Sequence, residues 1–308
     1  MCAIFLKCNG REKAAGTGVR AIVANPCPGC FFTICVYLHH ICPSGIFAAM
    51  EKNEYETLAR VELDHWWYGG MRAIAAGLLD PLYGQRRDLC ILDAGCGTGG
   101  DGLFLQRYGC VSGVDLAPEA VAPAAPRLGG RLGRAAVQHL PFAKESFDLV
   151  TSFDVLYHRG VENEVAVLRE FRRVLRPGGR VLLRLPAYEF LRSRHDEQVH
   201  TRRRYRAGQV NDMLIAGGFW VEKLSYVVSL LFPIPLLQRL LERLLPPPAE
   251  PDSAMQTPAP ALNRLLRLPM ALEAAWIGLG GRFPFGLSIV CLAHSGKIRQ
   301  VRLGELQR

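Results

Sequence analysis

The chain reads as an α/β protein built on a doubly wound parallel sheet, and three observations predict it. Apolar runs at 89–95, 110–115, 134–138, 148–154 and 180–186 alternate with helical stretches, the order that places parallel strands between two layers of helices. The first run, Ile91-Leu92-Asp93, opens into Gly95-Cys96-Gly97-Thr98-Gly99-Gly100, a turn with almost no side-chain bulk. The second run ends in Asp115, 20 residues after Gly95. A glycine loop and an acid at neighbouring strand ends form a nucleotide cradle at the carboxyl edge of such a sheet.

Taken in order, residues 1–49 carry no helical or strand period and hold six of the ten cysteines, Cys2, Cys8, Cys27, Cys30, Cys35 and Cys42. Cys27-Pro28-Gly29-Cys30 is spaced as one half of a zinc knuckle, but Cys35, His39, His40 and Cys42 give no standard second pair. Phe31 to Leu38 is apolar behind Lys7, Arg11, Lys13 and Arg20, which resembles a targeting segment with an over-long basic part. The simplest expectation is a translation start at Met50, with a disordered extension as the alternative. Residues 1–49 are therefore set apart from a domain over 50–297 and a tail over 298–308.

Glu51 to Leu79 reads as helical, with Leu58, Val61, Leu63, Ile74, Leu78 and Leu79 as apolar positions and a break at Gly69-Gly70. Inside it lies His65-Trp66-Trp67-Tyr68. Residues 118–129 make a poor helix, interrupted by Pro123 and Pro126. Residues 161–176 make the clearest one: Val165, Leu168, Phe171 and Leu175 share a face opposite Arg169, Arg172 and Arg173. Arg176-Pro177-Gly178-Gly179 ends it. Beyond Phe219, an apolar run from Val227 to Leu237 is broken by Pro233 and Pro235, and a leucine stripe follows at 236–245. Pro246 to Pro260 reads as an extended linker, 261–279 as a second apolar helix, and Phe285 to Ala293 as the closing strand. The stretch 220–285 thus reads as a helical, proline-rich insertion before the last strand.

Two cofactors fit the loop. Gly95, Gly97 and Gly100 satisfy the G-x-G-x-x-G spacing of a dinucleotide site, and Asp115 suits the ribose of either candidate. Asp93, two residues before the first glycine, would repel a pyrophosphate and suits the cationic amino-acid end of S-adenosylmethionine. Further on come Leu140-Pro141-Phe142, Phe147-Asp148-Leu149-Val150 and Leu175-Arg176-Pro177-Gly178-Gly179-Arg180-Val181-Leu182-Leu183. In this order and spacing, residues 51–297 resemble the class I S-adenosylmethionine-dependent methyltransferases of the small-molecule type. A nicotinamide-dependent oxidoreductase, the rival reading, explains neither Leu140-Pro141-Phe142 nor Arg176-Pro177-Gly178-Gly179 and lacks a Tyr-x-x-x-Lys pair.

The resemblance implies a Rossmann-like, mostly parallel seven-stranded sheet whose last strand is antiparallel, and methyl transfer from a sulfonium. It implies that Asp93 and the backbone of Ala94, Gly95, Cys96 and Gly97 hold the methionine portion. Asp115 would take the ribose hydroxyls and Leu116 would lie against the adenine. Gln138, His139 and Leu140 would line the other side of the base, with Phe153 at the end of the fourth strand. Relatives place an acid near Ala136 that this chain lacks, which leaves Gln138 or the backbone for the adenine amino group. The aromatic segment 65–68 would cover the pocket or seal the sheet edge.

Candidate proton-transfer groups are His158, after the fourth strand, and His195, His200 and Tyr205 in the segment after the fifth. Loops there overlie the substrate pocket in this fold. The alternative for that segment is a network of buried ion pairs built on Arg194, Arg202, Arg203 and Arg204. No metal site is expected outside the cysteine-rich stretch.

Composition fits this reading. The 308 residues are 49% apolar and 21% charged, enough for one sizeable core. The net charge of +9 is carried mostly by arginine, which reads as codon-level bias, and nucleic acid is not an expected partner. The acceptor is expected to be a small or lipid-like molecule methylated at oxygen or carbon, by a monomer or homodimer in the cytoplasm. A leucine stripe with basic residues at 230–245 also suits peripheral membrane contact. The remaining rival is a non-catalytic protein, either cofactor-binding or a membrane-associated accessory.

Overall fold

A computed structural model describes residues 52–244 and 258–296. The cysteine-rich stretch, the middle of the proline-rich linker and the C-terminal tail lie outside the described residues, and with them the zinc, targeting and start-site readings. Two helices come first, α1 Lys52–Val61 and α2 Trp66–Tyr83. Then follow β1 Leu89–Ala94, α3 Gly100–Leu105, β2 Gly109–Asp115, α4 Pro118–Arg127, β3 Leu132–Arg134, β4 Phe147–Phe153, α5 Glu164–Val174 and β5 Leu175–Pro186. The remainder is α6 Arg194–Gln198, α7 Ala207–Ala216, β6 Trp220–Val227, α8 Pro233–Leu244, α9 Pro260–Gly278 and β7 Ser288–His294.

The seven strands form one sheet in the order β3-β2-β1-β4-β5-β7-β6. β1 to β5 are mutually parallel, and β7 runs antiparallel between β5 and β6. Strand direction therefore reverses only at β7, while the chain switches sides between β1 and β4. Every residue of β1 is buried, as helices on both faces require. Alternate residues feed opposite cores. Leu92, Val181 and Leu183 pack with Leu168 and Phe171 of α5 and Val210 and Leu214 of α7. Ile91 and Leu182 pack with Ile74 and Leu79 of α2 and Met270 and Ile277 of α9. Each such fully buried side chain contributes about 1.5–3 kcal/mol.

Several expectations need correction. The break expected at Gly69-Gly70 falls instead at 62–65, and α2 runs through both glycines. They are small for packing: a Cβ on Gly70 would stand 2.6 Å from the Met270 side chain, and one on Gly77 2.6 Å from the Ala274 carbonyl oxygen. α4 continues through Pro123 and Pro126. Its Ala124 lies against Gly99 of the glycine loop. The third strand is Leu132–Arg134 rather than 134–138, because β2 ends at Asp115, opposite Arg134. The stretch 220–285 is not insertion throughout, since β6 completes the sheet at its edge. α8 begins at Pro233, where a proline is suited to the first helical turn.

Candidate active site

Strand ends set the site. β1, β2, β4 and β5 finish on one edge, and the glycine loop leaves β1 where the chain switches sides. Gly95, Gly97 and Gly99 have φ of +85°, +51° and +88°, which a side chain would strain. A Cβ on Gly95 would collide with Val155, whereas one on Gly97 would meet nothing within 4 Å. The loop is anchored from behind: Gly95 N and Cys96 N both donate to the Val114 carbonyl, at 2.8 and 2.9 Å. The Cys96 thiol turns away toward Gly113, and burial pushes its pKa up.

The two acids are set differently. Asp115 accepts from Gly97 N at 2.9 Å and from Ala117 N at 3.0 Å. Burial raises its pKa while these backbone donors oppose the rise. Asp93 is 1% exposed. Its Oδ1 accepts from Thr151 Oγ1 at 2.9 Å, and its Oδ2 has no hydrogen-bond partner among the described residues. Burial first, and Asp101 next, push its pKa up to about 7.

An ion triad stands beside them. Arg184 of β5 donates through Nε to Asp154 Oδ2 at 2.7 Å and through Nη2 to Asp101 Oδ2 at 3.2 Å. Its guanidinium lies 4.8 Å over the Phe153 ring. Burial pulls its pKa down, but Asp154 and Asp101 outweigh burial and leave it above the usual arginine value. Asp154 is held at φ +58°, a conformation that costs free energy and recurs at functional sites. Sequence reasoning missed this triad. Its signal was a charge inside the apolar run Val181-Leu182-Leu183-Arg184-Leu185.

α1 and the start of α2 roof the loop. Glu62 accepts from Thr98 Oγ1 and from Arg127. Arg127 also donates to Thr98 O at 2.9 Å and Ala59 O at 2.7 Å. The Glu62 carboxylate lies where a Cβ on Gly100 would stand. Burial first, and then the charges of Asp115 and Glu119, raise the pKa of Tyr55. His65 caps α2, its Nδ1 accepting from Trp67 N at 3.2 Å. Tyr68 lies in the field of Arg184 and Asp154, although burial dominates its raised pKa.

Among the other expected cofactor residues, Ala94 is buried in β1, and the Leu116 carbonyl accepts from Arg134 Nε at 2.9 Å. Gln138 donates to Gly160 O at 2.6 Å, and His139 is exposed. Leu140 turns its side chain into the core while its N–H donates to Glu170 Oε1 at 2.8 Å.

The structure brings His158 and His200 together. His158 pairs with Thr201 as an isolated bridge, Arg159 N donates to His200 O at 3.1 Å, and Arg202 N donates to Tyr157 O at 2.8 Å. Burial lowers the His158 pKa to about 4, opposed by a bond to the Asp154 backbone. Tyr205 is placed apart: its fully buried hydroxyl donates to Glu164 Oε1 at 2.7 Å, with Leu156 O also within reach at 3.2 Å. Arg202 and Arg203 also pair with Glu164, and Arg204 with Asp196 at 2.8 Å. The arginine cluster is thus largely an ion-pair network. His195 lies on α6, and its side chain is outside the described residues.

One strand farther along the same edge, aromatic rings gather. Tyr188 stacks on Tyr226 at 5.0 Å and on Phe190 at 5.1 Å, and Phe232 approaches Phe285 at 5.5 Å.

Residues 92–183 match the sequence profile of a family described as a methyltransferase domain. The chain is 32% identical over 156 residues to the ubiquinone biosynthesis O-methyltransferase of Xanthomonas oryzae pv. oryzae, covering 46% of this chain and 62% of that one. It is 39% identical over 97 residues to the malonyl-[acyl-carrier protein] O-methyltransferase of Herminiimonas arsenicoxydans, covering 30% and 35%. The matches span about half to three fifths of the length of the first relatives. A solved chain from the Haloferax volcanii complex of a methyltransferase with its Trm112 activator superposes with a TM-score of 0.51. The identity there is 19%, over 80% of this chain and 97% of that one, a likeness of fold.

Proposed function

We propose, for a chain that belongs to the class I S-adenosylmethionine-dependent methyltransferases, that it methylates a small apolar or lipid-like molecule at oxygen or carbon. One juxtaposition carries the reading: an open glycine loop lies between a buried acid, one oxygen of which has no partner among the described residues, and a second acid at the next strand end. That set fits a cofactor with a cationic amino-acid end and a ribose, because each finds an acceptor on its own side of the loop. It fits a pyrophosphate poorly, since Asp93 would oppose the added negative charge.

S-adenosylmethionine, when bound, supplies a methyl group already activated for displacement by its sulfonium. The chain's own residues bind, orient and exclude water. Asp93 Oδ2 would accept from the ammonium, the loop backbone would contact the methionine portion, and Asp115 would exchange its backbone donors for ribose hydroxyls. The Asp101–Arg184–Asp154 triad holds the wall over Phe153 rigid, so an acceptor can be aligned against it. We assign removal of a proton from the acceptor to His158, kept neutral above about pH 5 by its lowered pKa, and to His200. We assign Tyr205 a positioning role, pinning the segment 201–205 to α5. The aromatic group at Tyr188, Phe190 and Tyr226 favours an apolar acceptor, and the relatives' O-methyltransferase names favour oxygen.

Calorimetry with S-adenosylmethionine and with NAD tests the cofactor, and binding of NAD alone would reject the proposal. A labelled-methyl assay on lipid and aqueous extracts tests the acceptor: label should pass to the organic phase. His158→Ala and His200→Ala should lower turnover at least about tenfold while changing cofactor affinity little.

A further inference from the structure

α9 is apolar on both sides. Met270, Ala274 and Ile277 are buried, as the inner face of a packed helix should be. The outer face is apolar as well: Leu262, Leu265, Leu268, Leu272, Trp276 and Leu279 recur in steps of three or four and are all about half exposed or more, Leu279 to 85%. At roughly 100° per residue they fall within one arc, where a water-facing helix would carry its charges. The charges of α9 are Arg264, Arg267 and Glu273. Glu273 is buried beneath, accepting from Leu230 N at 2.7 Å, so only the two arginines reach the surface.

The patch extends beyond the helix. The Glu273 bond holds exposed Leu230 beside α9, and Ser229 hydroxyl donates to Phe285 O, which brings half-exposed Phe285 alongside. Lys223 donates to Gly280 O, just past Leu279, and Arg282 follows in sequence. Arg267 turns instead toward the start of α2, donating to Asp64 O, and the leucines rimmed by Arg264, Lys223 and Arg282 therefore form one surface.

We propose that this face of α9 lies flat on an anionic lipid bilayer. The apolar stripe suits the acyl boundary, Trp276 suits the headgroup level, and the cationic rim suits anionic headgroups. A second copy docking through the same patch would set its cations against their own kind. No helix among the described residues is long and apolar enough to cross a membrane, and Pro269 stands mid-helix, so contact is along the surface. This moves the contact expected at 230–245 onto α9, with Ile234 and Leu237 of α8 as further exposed apolar residues. The inference does not depend on which molecule is methylated.

The full chain should sediment with vesicles of phosphatidylcholine and phosphatidylglycerol, much less with phosphatidylcholine alone, and less as salt rises. Leu268→Glu with Leu272→Glu should weaken that partition about a hundredfold, and Arg264→Glu several-fold. Because these side chains are exposed, melting temperature and S-adenosylmethionine affinity should stay as in the parent, which separates failure here from failure of the cofactor reading. Equal partition of parent and double variant, or no sedimentation with anionic vesicles, would overturn the proposal. So would a dimer that the double variant dissociates, which would assign the face to a second copy.

Discussion

Asp115 has both oxygens engaged by backbone N–H groups, whereas Asp93 has one on Thr151 and one without a hydrogen bond among the described residues. The difference gives two separate tests. Asp115→Ala should weaken S-adenosylmethionine by roughly 1–3 kcal/mol, read by calorimetry, as a charged hydrogen bond is lost. Asp93, with its pKa raised to about 7, takes up a proton on folding. Its stabilising contribution is present at low pH and lost as pH rises through about 7. Across about pH 4 to 7, Asp93→Asn should therefore gain roughly 2–4 kcal/mol relative to the parent in urea unfolding. A cofactor ammonium beside Asp93 would favour the carboxylate, so binding near pH 7 should release about half a proton, seen by calorimetry in two buffers. Both acids were legible in the sequence because each ends an apolar run beside glycines. Arg184 was not, because its partners, Asp101 and Asp154, lie 83 and 30 residues away. Nor did residue type distinguish Tyr205 from the two histidines; only its bond to Glu164 does.

α1 is held over the glycine loop by one compact network, Glu62 with Thr98 and Arg127. Glu62 is nearly buried, and removing its cation leaves an uncompensated charge. Arg127→Met should cost about 3 kcal/mol or more in denaturant unfolding and speed amide exchange in α1. Adding Glu62→Gln to that variant should restore part of the loss. α2 and α9 depend on small residues instead. Gly77→Ala drives a Cβ toward the Ala274 carbonyl and should lower stability by roughly 1–3 kcal/mol, measured as a drop in melting temperature. Periodicity located α5, α9 and three of the central strands closely, since burial alone explains their pattern, but it opened β5 at 180, whereas the strand begins at Leu175 and runs through the proline and glycines read as a turn. It misplaced the break in the N-terminal helix, because a glycine pair reads the same whether it ends a helix or admits a neighbour. It passed over α7, and over β6, whose outer residues are partly exposed at the sheet edge and whose alternation is correspondingly weak.

At the scale of the molecule, strand order decides the layout. The central strands β1 and β4 bring Asp93, Gly97 and Phe153 to one edge, while β5 carries Arg184 in from the next position. The resemblance implied a mostly parallel seven-stranded sheet with its last strand antiparallel, whereas the order of the strands, and the aromatic group at Tyr188, Tyr226 and Phe232, came from pairings no periodicity shows. The roof shows the same long reach. Asn263 of α9 accepts from Trp66 N at 2.7 Å and donates to Asp64 O at 2.8 Å, joining positions 197 and 199 residues apart. A ribosome reads those two ends at very different times. While the chain is being made, the glycine loop and both acids emerge well before the clasp that secures the helix above them. Nascent chains arrested before residue 260 should therefore hold S-adenosylmethionine weakly, and chains released past β7 should hold it firmly.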